Sequence, residues 1–176
     1  SSDKFDLIIH YDVLEHIENP WEFLRQHAKD LCEDGLVIFA VPDCNRYIHL
    51  GDISMAIHEH INFFDDDSIE SVVKLANLNF LEVSHSEYGG VIYCVASISK
   101  QKQIIDKVES VTKFNNFSDK ATSMIKRLEE FVNQARKDNN TIGFYVPLRA
   151  MPYLAKLEIK DQIRFFDDDP GIHGKY

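Results

Sequence analysis

The sequence predicts an α/β fold: part of an open, doubly wound sheet closed by an antiparallel strand, then helices and the start of a second βαβ unit. Three observations carry this prediction. Short apolar runs alternate with stretches of helical period. The last two strand candidates before residue 100 are joined by a tight Gly-Gly turn instead of a helix. From residue 101 the period becomes helical and then returns to strand, helix and strand.

Each element has its own signal. Phe5-Asp6-Leu7-Ile8-Ile9-His10-Tyr11 is a nearly continuous apolar run, the pattern of a parallel strand covered on both faces. Asn19-Pro20 opens a helix in which Trp21, Leu24, His27 or Ala28, and Leu31 recur, and Glu33-Asp34-Gly35 stops it. A second strand covers 36–41 and ends at Pro42. A loop of about twenty residues follows, a length that compact domains keep mainly for function. Asp65-Asp66-Asp67-Ser68 caps a helix carrying Ile69, Val72, Val73, Leu75 and Ala76. Asn77-Leu78-Asn79-Phe80 leads into a strand near 80–86, and Tyr88-Gly89-Gly90 turns into the strand 91–98.

Beyond this point Ile104, Ile105, Val108 and Val111, then Ala121, Met124, Ile125, Leu128, Phe131, Val132 and Ala135, mark two helices. Ser118 is the expected N-cap of the second. A strand from Thr141 to Tyr145, a Pro-started helix over 147–157, a strand over 162–166 and an Asp-Pro-Gly turn follow. The expected organisation is a first domain over 1–100, a helical linker over 101–139 and the start of another domain over 140–176.

Composition narrows the function. With 176 residues, 44% hydrophobic and 27% charged, the chain is that of a globular protein. Its net charge of −10, with lysines and arginines scattered, argues against nucleic-acid and anionic-membrane partners. Cys32, Cys44 and Cys94 form no CxxC pair and read as reduced thiols of a cytoplasmic protein. No apolar run approaches the ~18 residues of a membrane span, and no signal-peptide pattern is present.

The run from Phe5 to Ile17, the helix start Asn19-Pro20 and the strand Leu36-Val37-Ile38-Phe39-Ala40-Val41-Pro42 together resemble the second half of class I S-adenosylmethionine-dependent methyltransferases. The resemblance implies a partial Rossmann-like sheet with a final antiparallel strand, and S-adenosylmethionine as cofactor. His58-Glu59-His60-Ile61-Asn62-Phe63-Phe64 further resembles a segment of the sugar C-methyltransferases that act on nucleotide-linked deoxysugars. The segment from Ile142 through Pro170, with Gly174-Lys175, is similar to the start of their C-terminal domain. This chain departs from that family at Ile57, where a tyrosine usually stands, and at Val146-Pro147, where a small-residue turn is usual.

That resemblance implies site residues. His60 is the expected general base for making a carbanion equivalent beside a carbonyl, and Glu59 would orient it or bind the sugar. Tyr11 and Asp12 would line the methionine side of the cofactor, with His16 packed behind them. His58, Gly89 and Gly90 would lie near the substrate, a nucleotide sugar. Read without the family, Glu15-His16 is a packed helix start, Gly89-Gly90 is turn geometry, and one histidine of the His-x-His pair satisfies a backbone carbonyl. His-x-His can also hold a metal, but no third ligand stands near it in sequence, and no metal is expected. The glycine-rich cofactor loop would precede Ser1, so the chain alone is expected to be inactive. The alternative is a non-catalytic binding or assembly module pairing through the edge of its first strand, as in a homodimer.

Overall fold

A computed structural model describes residues 4–57, 59–100, 104, 116–157 and 163–172. The chain divides into two compact units, Ser1–Arg46 with Glu59–Ser110, and Tyr47–His58 with Val111–Tyr176.

The first unit is built on four strands: β1 (Phe5–Tyr11), β2 (Leu31–Pro42), β3 (Leu78–His85) and β4 (Val91–Ile98), in the order β1-β2-β4-β3. β1 runs parallel to β2, and β4 is antiparallel to both β2 and β3. α1 (Pro20–Asp30) and α3 (Asp66–Leu75) supply Leu24, Ile69 and Val73 to the core. These pack with Val37, Phe39 and Val41 of β2 and with Ile92, Cys94 and Ala96 of β4. The register pairs those strand residues one to one, Val37 with Ala96, Phe39 with Cys94 and Val41 with Ile92, so they share one face of the pleat. Each large aliphatic or aromatic side chain buried there contributes about 1.5–3 kcal/mol of transfer free energy.

Four sequence expectations change in this unit. β1 is covered on one face, not two: Leu7, Ile9 and Tyr11 are exposed, while Ile8 and His10 turn inward. The helix expected to stop at Glu33-Asp34-Gly35 ends at Asp30, because Leu31 is fully buried and pairs with Phe5. Pairing then jumps, with Leu7 opposite Leu36, and the intervening residues loop out. Gly35 permits this, since a Cβ there would lie 2.8 Å from the Leu31 side chain and 2.9 Å from the Phe5 carbonyl. The strand placed near 80–86 begins earlier, at Leu78, a fully buried core residue. Finally, the long loop after Pro42 contains α2 (Cys44–Leu50), which starts in this unit, and a 3-10 turn, Ile53–Met55, which belongs to the second. The Asp43 carboxylate starts α2 by accepting the backbone N–H groups of Asn45 (3.0 Å) and Arg46 (3.4 Å).

In the second unit, α4 (Phe117–Lys137) has Asn116 as its N-cap, so Ser118 lies inside the first turn instead of capping it. The stretch 105–115, where the first of the two expected helices falls, lies outside the described residues. β5 (Ile142–Tyr145) pairs in parallel with β6 (Ile163–Phe166), the expected arrangement of a βαβ unit. The helix foreseen over 147–157 is shorter, a 3-10 turn at Leu148–Ala150 and then one turn, α5 (Met151–Leu154). Pro152 has no N–H to donate to the preceding turn, so a continuous helix is blocked there. Tyr153 ties this unit together: its hydroxyl donates to Asp52 (2.7 Å) and accepts from the Ile53 N–H (3.2 Å).

Candidate functional site

The chemistry gathers beyond the carboxyl end of β1. Asp12 leaves the strand with φ of 51°, in the left-handed region, while its N–H still donates to the Ala40 carbonyl (3.1 Å). The chain therefore turns sharply into the 3-10 turn Leu14–His16. Leu14 and Glu15 are both 1% exposed, the first in the core and the second carrying a carboxylate into it.

Residues 59–62 are stitched to this turn. The Ile61 and Asn62 N–H groups donate to the Glu15 carbonyl at 2.9 and 3.1 Å. The Asn62 side-chain amide donates to the Leu14 (3.2 Å) and Ile17 (2.6 Å) carbonyls. His16 Nδ1 lies 2.8 Å from the Glu59 carbonyl. A carbonyl can only accept, so Nδ1 carries a proton and donates it, and Nε2 lies on the far side of the ring. Nε2 is 3.8 Å from Glu15 Oε1, and the His16 and His60 rings meet edge to face at 5.0 Å.

The expected site residues thus fall into three groups. His60 and the backbone of Glu59 sit against Glu15 and His16. Tyr11 and Asp12 form the exposed lip immediately before them, with the Tyr11 ring 6.4 Å from that of Tyr93. Partial desolvation, then Tyr93 and Asp12, push the Tyr11 hydroxyl above its ordinary range. Gly89 and Gly90 belong to the β3–β4 turn with φ of 73° and 84°. There the Gly90 carbonyl accepts the Asp43 N–H (3.0 Å), and Arg46 closes over Gly89 while donating to the Tyr88 carbonyl (2.9 Å). His58 lies outside the described residues.

Glu15 is the group that a reading of the sequence as a packed helix start undervalues. Neither of its carboxylate oxygens has a hydrogen-bond partner among the described residues. Burial pushes its carboxyl above the usual range and the nearby Asp12 charge adds to this, with His16 acting against it. The available signal was an acidic residue between Val13-Leu14 and Ile17, in a run otherwise apolar enough to be buried.

A parallel pair continued by an antiparallel pair, in the order β1-β2-β4-β3, with polar groups clustered past the carboxyl ends of the strands, is a partial Rossmann-like α/β sheet with a final antiparallel strand. Residues 1–83 match the family described as "Methyltransferase domain". No curated protein matches the sequence.

Similar solved structures include an S-adenosylmethionine-dependent methyltransferase from Clostridium acetobutylicum ATCC 824, at 14% identity and TM-score 0.43, covering 55% of this chain and 59% of that one. A complex between the Haloferax volcanii Trm112 methyltransferase activator and a methyltransferase gives 13% identity and TM-score 0.48, with 55% of each chain covered. Magnesium protoporphyrin IX methyltransferase from Synechocystis PCC 6803, with bound SAH, gives 16% identity and TM-score 0.40, covering 55% and 46%. The chain spans about half the length of these structures. Among the described residues, no helix is long and apolar enough to cross a membrane.

Proposed function

We propose that this chain is the acceptor-binding side of an S-adenosylmethionine-dependent methyltransferase, and that the complete protein methylates carbon on a nucleotide-linked sugar. The observation that carries the reading is the convergence of His60 with Glu15 and His16 directly beyond the lip formed by Tyr11 and Asp12. The cofactor, when bound, supplies a methyl group on a sulfonium. Tyr11 and Asp12 fit its methionine end: an exposed carboxylate suits an α-ammonium, and an exposed ring suits the methylene chain.

The sugar class is supported by the His58-Glu59-His60 segment and its position just before Phe63-Phe64. His60 engages the acceptor and takes the proton that carbon must lose, and the hydrogen bond from His16 to the Glu59 carbonyl fixes the backbone that carries it. The turn Gly89-Gly90 is a further part of the acceptor side, and a substrate-binding role for His58 rests on the sequence segment alone.

The test pairs two measurements. S-adenosylhomocysteine binding is followed by calorimetry, and transfer of a labelled methyl group to nucleotide-linked keto-deoxysugars is followed by scintillation. His60→Ala is expected to keep cofactor binding and lose transfer by at least about a hundredfold, the usual weight of a positioned acid–base group. Asp12→Ala is expected to weaken cofactor binding. Transfer undiminished in His60→Ala removes this histidine from the mechanism. Transfer only to acceptors that are not sugars overturns the substrate class.

A further inference from the structure

The buried carboxylate of Glu15 calls for an occupant of opposite charge. Taking a carboxylate out of water without a partner is strongly unfavourable, and buried charges in proteins are paired or ligate metals. Glu15 is 1% exposed, its two oxygens have no hydrogen-bond partner among the described residues, and the neighbour it faces is an imidazole nitrogen, not an amide or a guanidinium.

We infer that Glu15, His16 and His60 bind a divalent first-row transition-metal ion, with Zn2+ the best match. One ligand atom from each of the three lies within 4.8 Å of the others. Bonds of about 2.0–2.2 Å put tetrahedral donor atoms roughly 3.4 Å apart, so an ion would draw the set in by about 1 Å or less. The second shell is already in place. His16 donates Nδ1–H to a backbone carbonyl, the arrangement that fixes tautomer and ring direction in metal-ligating histidines. Five hydrogen bonds, from His16, Ile61 and Asn62, hold the two ligand-bearing segments together.

Two imidazoles and one carboxylate select ions of borderline softness over Mg2+ or Ca2+, which prefer all-oxygen sites. Three protein ligands also leave a coordination position open. His16 is exposed, so that position is reachable from solvent beside Tyr11 and Asp12, where an acceptor oxygen would enter. The use of the ion rests on the methyltransferase reading: an acceptor carbonyl oxygen at the open position would be polarised, which makes the carbon beside it easier to deprotonate. The binding of the ion does not depend on that reading.

The experiment is calorimetric titration of Zn2+, and separately of Mg2+, into the EDTA-treated chain, with a Co2+ spectrum as the chemical readout. One equivalent of Zn2+ is expected to bind, with Mg2+ at least about a hundredfold weaker. Loss of a ligand in His60→Ala should weaken Zn2+ by more than the ten- to hundredfold typical of second-shell changes. His16→Gln, at an exposed position, gives the same readout should the buried variant Glu15→Gln fail to fold. The Co2+ complex should show d–d bands without a thiolate charge-transfer band. Absence of a stoichiometric site, affinity unchanged in both His16→Gln and His60→Ala, or a thiolate band each overturns the assignment. S-adenosylhomocysteine titrated into the same samples reads the cofactor independently, so a failed metal site and a failed methyltransferase reading give different results.

Discussion

His10 offers a direct test of how the first unit is held together. Its ring stacks on Phe39 of β2 at 5.3 Å with the planes 3° apart, and meets Phe23 and His27 of α1 edge to face. Both ring nitrogens are buried without a hydrogen-bond partner among the described residues. Burial first, and His27 second, lower its pKa from 6.5 to about 4. A histidine whose folded pKa is depressed favours the folded state above its unfolded value. That contribution disappears as pH falls from 6.5 towards 4, because the unfolded chain binds the proton and the folded one does not. At 1.36 kcal/mol per pKa unit the complete effect is about 3.4 kcal/mol, of which about 1.8 falls between pH 7 and pH 5. Partial contact of the ring with solvent reduces the latter to about 1–1.5 kcal/mol. His27 is shifted the same way by burial. Urea unfolding at pH 7 and pH 5, followed through Trp21, the one tryptophan, compares the native chain with His10→Leu. The native chain is expected to lose about 1–1.5 kcal/mol more than the variant on acidification. Equal losses in the two proteins would mean that His10 does not stay neutral in the fold, and would refute the reasoning.

Two further substitutions test local geometry. Gly89→Ala forces a side chain into φ of 73° and places its Cβ 1.6 Å from Arg46 Nη1, so the guanidinium must leave the Tyr88 carbonyl. The expected destabilisation is about 1–3 kcal/mol by urea unfolding, and Arg46→Ala in the same background should recover only the part due to collision. Asp65→Ala removes the carboxylate that accepts the Ser68 N–H (2.9 Å) at the start of α3, where Ser68 Oγ also accepts the Asp65 N–H (2.8 Å). Thermal unfolding should show a loss of about 1 kcal/mol, with Asp65→Asn retaining most of the stability.

The fold was legible where sequence period and burial agree. β4 has an apolar run with a Gly-Gly turn before it, and its observed bounds are those read from the sequence. α3 has its acidic start and a stripe at Ile69 and Val73, both buried. The misreadings have a common origin. Leu31 fits the helical stripe of α1 as well as it fits a strand, and only pairing with Phe5, 26 positions away, settles which it joins. The run 5–11 contains nearly enough apolar residues for two buried faces, yet the arrangement of neighbours buries only Ile8 and His10 fully enough to enter the packing. Asp43 after Pro42 is a capping signal for α2, but a loop with Pro42 at its entry and Gly51 inside it reads as irregular without the hydrogen bonds to Asn45 and Arg46.

The site was legible by residue type and hidden by distance. Two segments some 43 positions apart, at His16 and Glu59, meet through five hydrogen bonds, one of them from a histidine to a carbonyl, and no spacing rule in a single sequence foretells that meeting. Motif reasoning looks for ligands at fixed intervals, so it stops at His58-x-His60 and finds no third group. The fold brings two groups to His60 from the turn after β1, His16 and Glu15, where Leu14 must enter the core and carries Glu15 in beside it. Burial of Leu14 thereby fixes the direction of the carboxylate, and the Asn62 amide fixes the segment facing it. An apolar anchor next to a charge is a general way to hold that charge where water cannot neutralise it. Here it places an acidic group at the end of a parallel strand, the position at which open α/β sheets bind their ligands.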